Sequence, residues 1–295
     1  MSDYILKNDS LILTLSDFGA ELTSIIEVST NTEYLWNANP AFWKRHSPIL
    51  FPFVGTLKDK SYRYNNRSYP MTPHGFARDM VFSLKLHTED EIWFSLDANE
   101  ETLRKYPFLF RLELGYHLHG KSITVLWKVI NNDNKTMYFS IGGHPAFNCP
   151  LNPIRNQNDY FLLFDNTELR YLHIDEHGLV QKKPMRAQNL LTTDQGLLPI
   201  DPHMFDLDAL IIENNQCHKV SLLRPSQAPY LTVTFDAPLF GLWSPAKMNA
   251  PFVCIEPWYG RCDASDFNDT LENREWGNSL EVGKQFSESY TIEIC

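Results

Sequence analysis

The chain has 295 residues, 43% of them hydrophobic and 13% aromatic, which is enough to bury a sizeable core without disulfide or metal staples. Its formal charge of −10 opposes binding to nucleic acid or to an anionic membrane surface, and no cluster of Lys and Arg offsets it locally. No apolar run approaches the roughly 18 residues that suggest a membrane span, and Met1-Ser2-Asp3-Tyr4 lacks a basic segment followed by an apolar one, so a soluble, cytoplasmic protein is expected.

In chain order, short segments with β-branched or aromatic alternation fall at 11–15, 21–28, 81–86, 92–96, 111–119, 123–130, 160–164, 209–212, 219–223, 230–235, 252–255 and 290–294. Turn residues divide them, as in Asn131-Asn132-Asp133-Asn134 and Asp236-Ala237-Pro238. Helical periodicity is confined to 100–106, where Pro107 stops it. The stretches 149–157 and 177–195 read as surface connections. No linker, repeat or low-complexity tract interrupts the pattern, so a single domain over 1–295 is expected. So many antiparallel strands predict an all-β fold of two packed sheets.

Three segments set one ionisable group among Gly, Pro and aromatic residues: Pro73-His74-Gly75-Phe76-Ala77-Arg78, Gly142-Gly143-His144-Pro145-Ala146-Phe147 and Glu256-Pro257-Trp258-Tyr259-Gly260. Two imidazoles and a carboxylate form a proton-transfer set, and only tertiary folding can join groups so far apart in sequence. Trp258 and Phe76 offer faces on which a pyranose ring can stack. Val253, Cys254 and Ile255 are strand-like and Pro257 is expected to end the ladder, placing Glu256 at a strand end. The five cysteines, Cys149, Cys217, Cys254, Cys262 and Cys295, contain no C-x-x-C pair and read as reduced thiols, with Cys149 and Cys254 lining the pocket. His117 and His119 share a strand face but have no third metal ligand nearby. No G-x-S-x-G, H-E-x-x-H, P-loop or G-x-G-x-x-G motif occurs, which removes the main support for serine hydrolase, zincin and nucleotide-binding readings.

The runs His74 to Arg78, Gly142 to Asn148 and Cys254 to Gly260 resemble, in this order, the H-G-F-A-R, G-G-H-P-A-F-N and C-I-E-P-W-Y-G motifs of the aldose 1-epimerase (galactose mutarotase) family, LacX-like branch. The resemblance implies the large antiparallel β-sandwich, or supersandwich, of the galactose mutarotase fold. It implies interconversion of the α and β anomers of a free aldohexose such as galactose or glucose, with Glu256 as base at O1, His144 as acid at the ring oxygen and His74 as a hydrogen-bonding partner. Asp208 matches the family's sugar-binding aspartate best, with Asp206 as competitor, and Arg78 is expected to reach a sugar hydroxyl or a carboxylate. Where relatives often carry Arg, this chain has Thr56. A hemiacetal opens by proton transfer, so no cofactor and no metal are expected. A sugar is the expected partner, and a monomer or homodimer is expected. With unperturbed groups, activity would follow a bell with limits near about 4.3 and 6.5. Two alternatives stay open: anomer conversion of a sugar phosphate, for which Arg45, Lys58 and Arg78 are the nearby cations, and a non-catalytic sugar-binding module.

Overall fold

A computed structural model describes residues 1–181, 188–190 and 192–295. Two large antiparallel sheets dominate it. The larger runs in the order Leu197–Pro199, Phe161–Phe164, Lys219–Leu223, Pro229–Phe235, Gln285–Ile294, Ser122–Asn131, Phe110–His119, Glu91–Asp97 and Ser83–His87. The smaller runs Gln188–Leu190, Leu169–His173, Leu210–Ile212, Leu239–Trp243, Phe252–Tyr259, Ile141–Gly143 and Ile49–Leu50, with Ala146–Asn148 also paired to Phe252–Tyr259. A four-stranded sheet is formed by the N-terminal strands Asp3–Lys7, Leu11–Ser16, Glu21–Glu27 and Thr32–Glu33. The expected all-β sandwich is thus present, and no helix among the described residues is long and apolar enough to cross a membrane.

The two sheets share one core, in which Leu112, Leu114, Trp127, Val233 and Ile292 of the larger meet Ile141, Leu210, Ile212, Leu242, Val253 and Ile255 of the smaller. Successive side chains of a strand point to opposite faces. With Val253 and Ile255 in that core, Cys254, Glu256 and Trp258 therefore lie on the other face of the smaller sheet. That face is covered too, by loops, which is why all but the last residue of Phe252–Tyr259 are buried.

The helical expectation at 100–106 appears as Glu100–Lys105, capped by Asn99, whose side chain accepts from Thr102 N while the Thr102 hydroxyl accepts from Asn99 N. Two expectations need correction. Pro257 does not end a ladder: Phe252–Tyr259 continues through it, pairing Gly241 with Glu256, Phe240 with Pro257 and Leu239 with Trp258. Proline is tolerated because residues 255–257 have no paired partner on the other side, between the Gly142–Trp258 and Ala146–Cys254 pairs. The stretch 177–195 is not all connection, since Gln188–Leu190 is a strand on the edge of the smaller sheet. Residues 182–187 and 191 of that stretch lie outside the described residues.

Candidate active site

The gap that accommodates Pro257 also builds the site. His144 and Pro145 fall in the interruption between Ile141–Gly143 and Ala146–Asn148, facing the unpaired side of residues 255–257. The backbone of His144 turns away to donate to Pro48 O at 3.1 Å. Its Nε2 comes to 3.3 Å from Glu256 Oε2. Gly142 is required beside this break, because a Cβ there would stand 2.5 Å from Trp258 Cδ1.

His74 arrives from a tight turn. It adopts φ 67 and is followed by Gly75 at φ 72, where a Cβ would meet Phe51 O at 2.2 Å, so only glycine fits. Gly55 N donates to His74 Nδ1 at 3.2 Å, and His74 N donates to Gly55 O at 2.9 Å. An accepting Nδ1 leaves the proton of the neutral ring on Nε2. The His74 and His144 ring centroids are 5.6 Å apart, edge to face.

A cavity of about 410 Å³ holds His74, Arg78, His144, Asp208, Glu256 and Trp258 together. Asp208, not Asp206, faces it; Asp206 is turned to the His203 ring at 2.9 Å. Asp208 adopts φ 70, a strained backbone for a residue with a Cβ, and its Oδ1 accepts from Ala209 N. A larger cavity of about 580 Å³, beside the 148–158 loop, contains none of the candidate residues and Arg155 as its only charged one.

Phe76 is a correction. It does not line the cavity but packs against Phe51, Tyr106 and Phe110 in the core, so it holds the turn that presents His74 and offers no face to a ligand. Cys149 and Cys254 are likewise buried in core clusters, and Cys262 is the thiol in the wall. Trp43 and Trp243 are additions that the sequence did not mark. Trp43 stacks on the His144 ring at 4.6 Å and Trp243 meets it edge-on at 5.3 Å, fixing the imidazole from two sides. Trp43 lies in a loop and Trp243 ends the strand Leu239–Trp243, a segment outside the alternating stretches read from the sequence, so only their contacts identify them.

Burial dominates the electrostatics. Glu256 is 1% exposed and His144 6%. Desolvation, with Asp208 adding repulsion, pushes the Glu256 carboxyl well above the usual carboxylate range. Desolvation, followed by the Arg78 charge, pulls His144 down to about 3, and the same two causes hold His74 well below its ordinary value. Both members of the 3.3 Å pair thus favour their neutral forms, and the pair holds one proton over a wide pH range. Glu256 Oε2, His144 Nδ1 and Trp258 Nε1 are buried without a hydrogen bond of regular geometry, although Trp258 is close enough to Glu256 to lower its carboxyl slightly. Polar atoms left this way are costly to a fold and available to a ligand.

His144, Cys254 and Glu256 also bring one donor atom each within 4.8 Å of one another. Burial pushes the Cys254 thiol well above its ordinary value, which disfavours the thiolate a metal needs. His117 faces Asp90 at 3.5 Å on the surface instead of joining such a group.

The sequence pattern of the aldose 1-epimerase family matches residues 2–293. The chain belongs to the aldose 1-epimerase family. This is a family of isomerases, and the two LacX proteins of Lactococcus lactis subsp. lactis, chromosomal and plasmid, are each 34% identical to this chain over 98% of both lengths. Among solved structures, a galactose mutarotase related enzyme from Lactobacillus acidophilus is 34% identical with a TM-score of 0.92, covering 100% of this chain and 97% of its own. A galactose mutarotase-like protein from Lactobacillus casei is 29% identical with a TM-score of 0.91 and full coverage of both chains. The fold that the family resemblance implied is therefore the fold of its relatives.

Proposed function

We propose that the protein interconverts the α and β anomers of an aldohexose by general acid–base catalysis, with Glu256 and His144 as the proton-transfer pair. The observation that carries this reading is the 3.3 Å approach of His144 Nε2 to Glu256 Oε2 inside a ligand-sized cavity. O1 and the ring oxygen O5 are both bonded to C1, so a base for one and an acid for the other must stand side by side.

One proton on the pair suffices. With it on His144, Glu256 is a carboxylate that takes the O1 proton while the imidazolium protonates O5, and the C1–O5 bond breaks. The pair is then left as neutral imidazole and carboxylic acid, the state that burial favours. Rotation about C1–C2 exposes the other face of the carbonyl, and closing the ring reverses both transfers. His74, neutral with its proton on Nε2, donates a hydrogen bond to O5 or the neighbouring hydroxyl. Asp208 accepts from sugar hydroxyls and Trp258 packs on the ring. Positioned proton transfer of this kind contributes about 10²–10⁴-fold per group.

Polarimetry of freshly dissolved α-glucose and α-galactose tests the reading: wild-type protein accelerates the optical change and Glu256→Gln does not. A non-catalytic sugar binder would give no acceleration with either, and near-normal turnover by the variant would remove Glu256 as the base.

A further inference from the structure

Resting on that acid–base reading, we infer that the sugar this cavity takes carries an anionic group at C6, a phosphate ester or a carboxylate, held by Lys44, Arg45 and Arg78. All three cations line the cavity. Lys58, the other cation near these segments in sequence, does not; it borders a separate cavity with Asp59 and Asp263.

The arginines are fixed in advance. Asp79 sits behind them, with Oδ1 at 2.9 Å from Arg45 Nη2 and Oδ2 at 3.9 Å from Arg78 Nε, and is itself half exposed and outside the cavity lining. Arg78 Nη2 donates to Pro73 O at 2.7 Å, tying the guanidinium to the turn that presents His74. Two guanidiniums thus share one carboxylate. Lys44 is exposed and has no ion-pair or hydrogen-bond partner among the described residues. Arg78 is only 14% exposed, and its Nε is buried with no hydrogen bond. Burial first, and the Arg45 charge second, bring Arg78 down to about 10, the mark of a desolvated cation beside another that its counterion does not fully offset.

The charges that border the cavity also act on different groups. Asp208 is the charge that acts on Glu256, whereas Arg78 and Arg45 act on His74 and His144. Arg78 and Arg45, and not Asp208, are thus the charges that bear on the two histidines. In a pyranose the ring oxygen has two neighbours, C1 and C5. With O1 at Glu256 and O5 at His144, C5 and its C6 substituent extend to the side away from Glu256, and Arg78 and Arg45, which act on the two histidines and not on Glu256, are the cations of the lining available to that substituent. A neutral CH₂OH leaves this concentration of charge unanswered, whereas a phosphate or carboxylate accepts several charge-assisted hydrogen bonds from it.

The test follows anomer exchange by proton NMR for glucose and galactose, their 6-phosphates, and glucuronate and galacturonate, with wild-type protein, Arg45→Gln and Lys44→Gln. At least one anionic series is expected to show kcat/KM about tenfold or more above its neutral parents, and whichever series leads identifies phosphate or carboxylate. The anionic-to-neutral ratio should fall about tenfold in Arg45→Gln and by a smaller factor in Lys44→Gln, whose unpaired side chain makes it the variant safe from misfolding. Neutral aldoses turned over as well as the anionic ones, with ratios unmoved by both variants, would overturn the inference and leave the acid–base reading standing. If the folded protein turns over no aldose, the acid–base reading fails, and calorimetric binding of the same sugars then decides: tighter binding of an anionic series upholds the cation site, and no preference sinks it.

Discussion

Two clusters of buried ionisable groups border the same sheet and are treated in opposite ways. In the first, Arg274 Nε lies 2.7 Å from Asp263 Oδ1, its Nη2 donates to Arg261 O, and Asp263 Oδ2 accepts from Lys58 N. Arg261 in turn reaches Glu213 at 3.0 Å, Glu275 and Cys262 O. In the second, His144 and Glu256 meet at 3.3 Å but leave Oε2, Nδ1 and the neighbouring Trp258 Nε1 without regular hydrogen bonds. A fully paired network resists change and holds the wall that carries Cys262. An unsatisfied pair is held in place by its neighbours and keeps its bonding capacity for a ligand.

The contrast is broken most sharply by Glu256→Gln. Loss of the carboxylate base should lower turnover about 10²–10⁴-fold in the polarimetric assay while sugar binding by calorimetry stays within about tenfold, because the amide still hydrogen-bonds. The fold should not suffer. A group whose native pKa is raised contributes stability that is fully present below its unfolded value and is lost as pH rises through the native one. Glu256→Gln removes that loss, so its urea midpoint relative to wild type should rise as the pH is raised above the usual carboxylate range.

The paired cluster predicts the reverse. Asp263→Asn strands Arg274 in the interior and should cost about 3–5 kcal/mol of stability in urea unfolding, with turnover per folded molecule changed far less than in Glu256→Gln. Equal stability losses in the two variants would erase the distinction between the clusters.

The pH profile sharpens the site's side of the comparison. Unperturbed groups would give a narrow bell, but here burial widens it. Activity should fall on the acid side only as His144 gains a second proton for the pair, near about 3 if the fold survives, and on the alkaline side only as the carboxyl loses the last one, well above the usual carboxylate range. The limits belong to the pair, and a maximum confined to about pH 4.3–6.5 would contradict the one-proton pair.

Smaller effects follow. His144→Ala and His74→Ala should each reduce kcat by about tenfold or more, His144 by the larger factor, since His74 aligns the ring oxygen without transferring its own proton. Chelation should change nothing. If a chelator abolished turnover and a divalent ion restored it, His144, Cys254 and Glu256 would be the ligands, not His117 and His119.

Strand positions in the larger sheet, the all-β class and the three ionisable groups were legible in the sequence because each has a local cause: period-two alternation, turn residues, and glycines and prolines around His74, His144 and Glu256. The helix at Glu100–Lys105 was legible for the same reason, with Pro107 as its stop. Pro257 was misread because its local rule, that proline ends a ladder, depends on what lies across the strand, and the partner strand happens to be broken there. Phe76 was misread because an aromatic beside a candidate site residue looks the same in sequence whether its ring faces a ligand or the core. Trp43, the choice of Asp208 over Asp206 and the gathering of Lys44 and Arg45 with Arg78 depend on loops meeting over the outer face of a sheet, and Trp243 depends on a strand of that sheet pairing beside Cys254. The altered proton affinities belong to that level as well. Burial is not a property of a residue but of everything packed around it, and it is burial that turns a carboxylate and an imidazole into a pair sharing one proton.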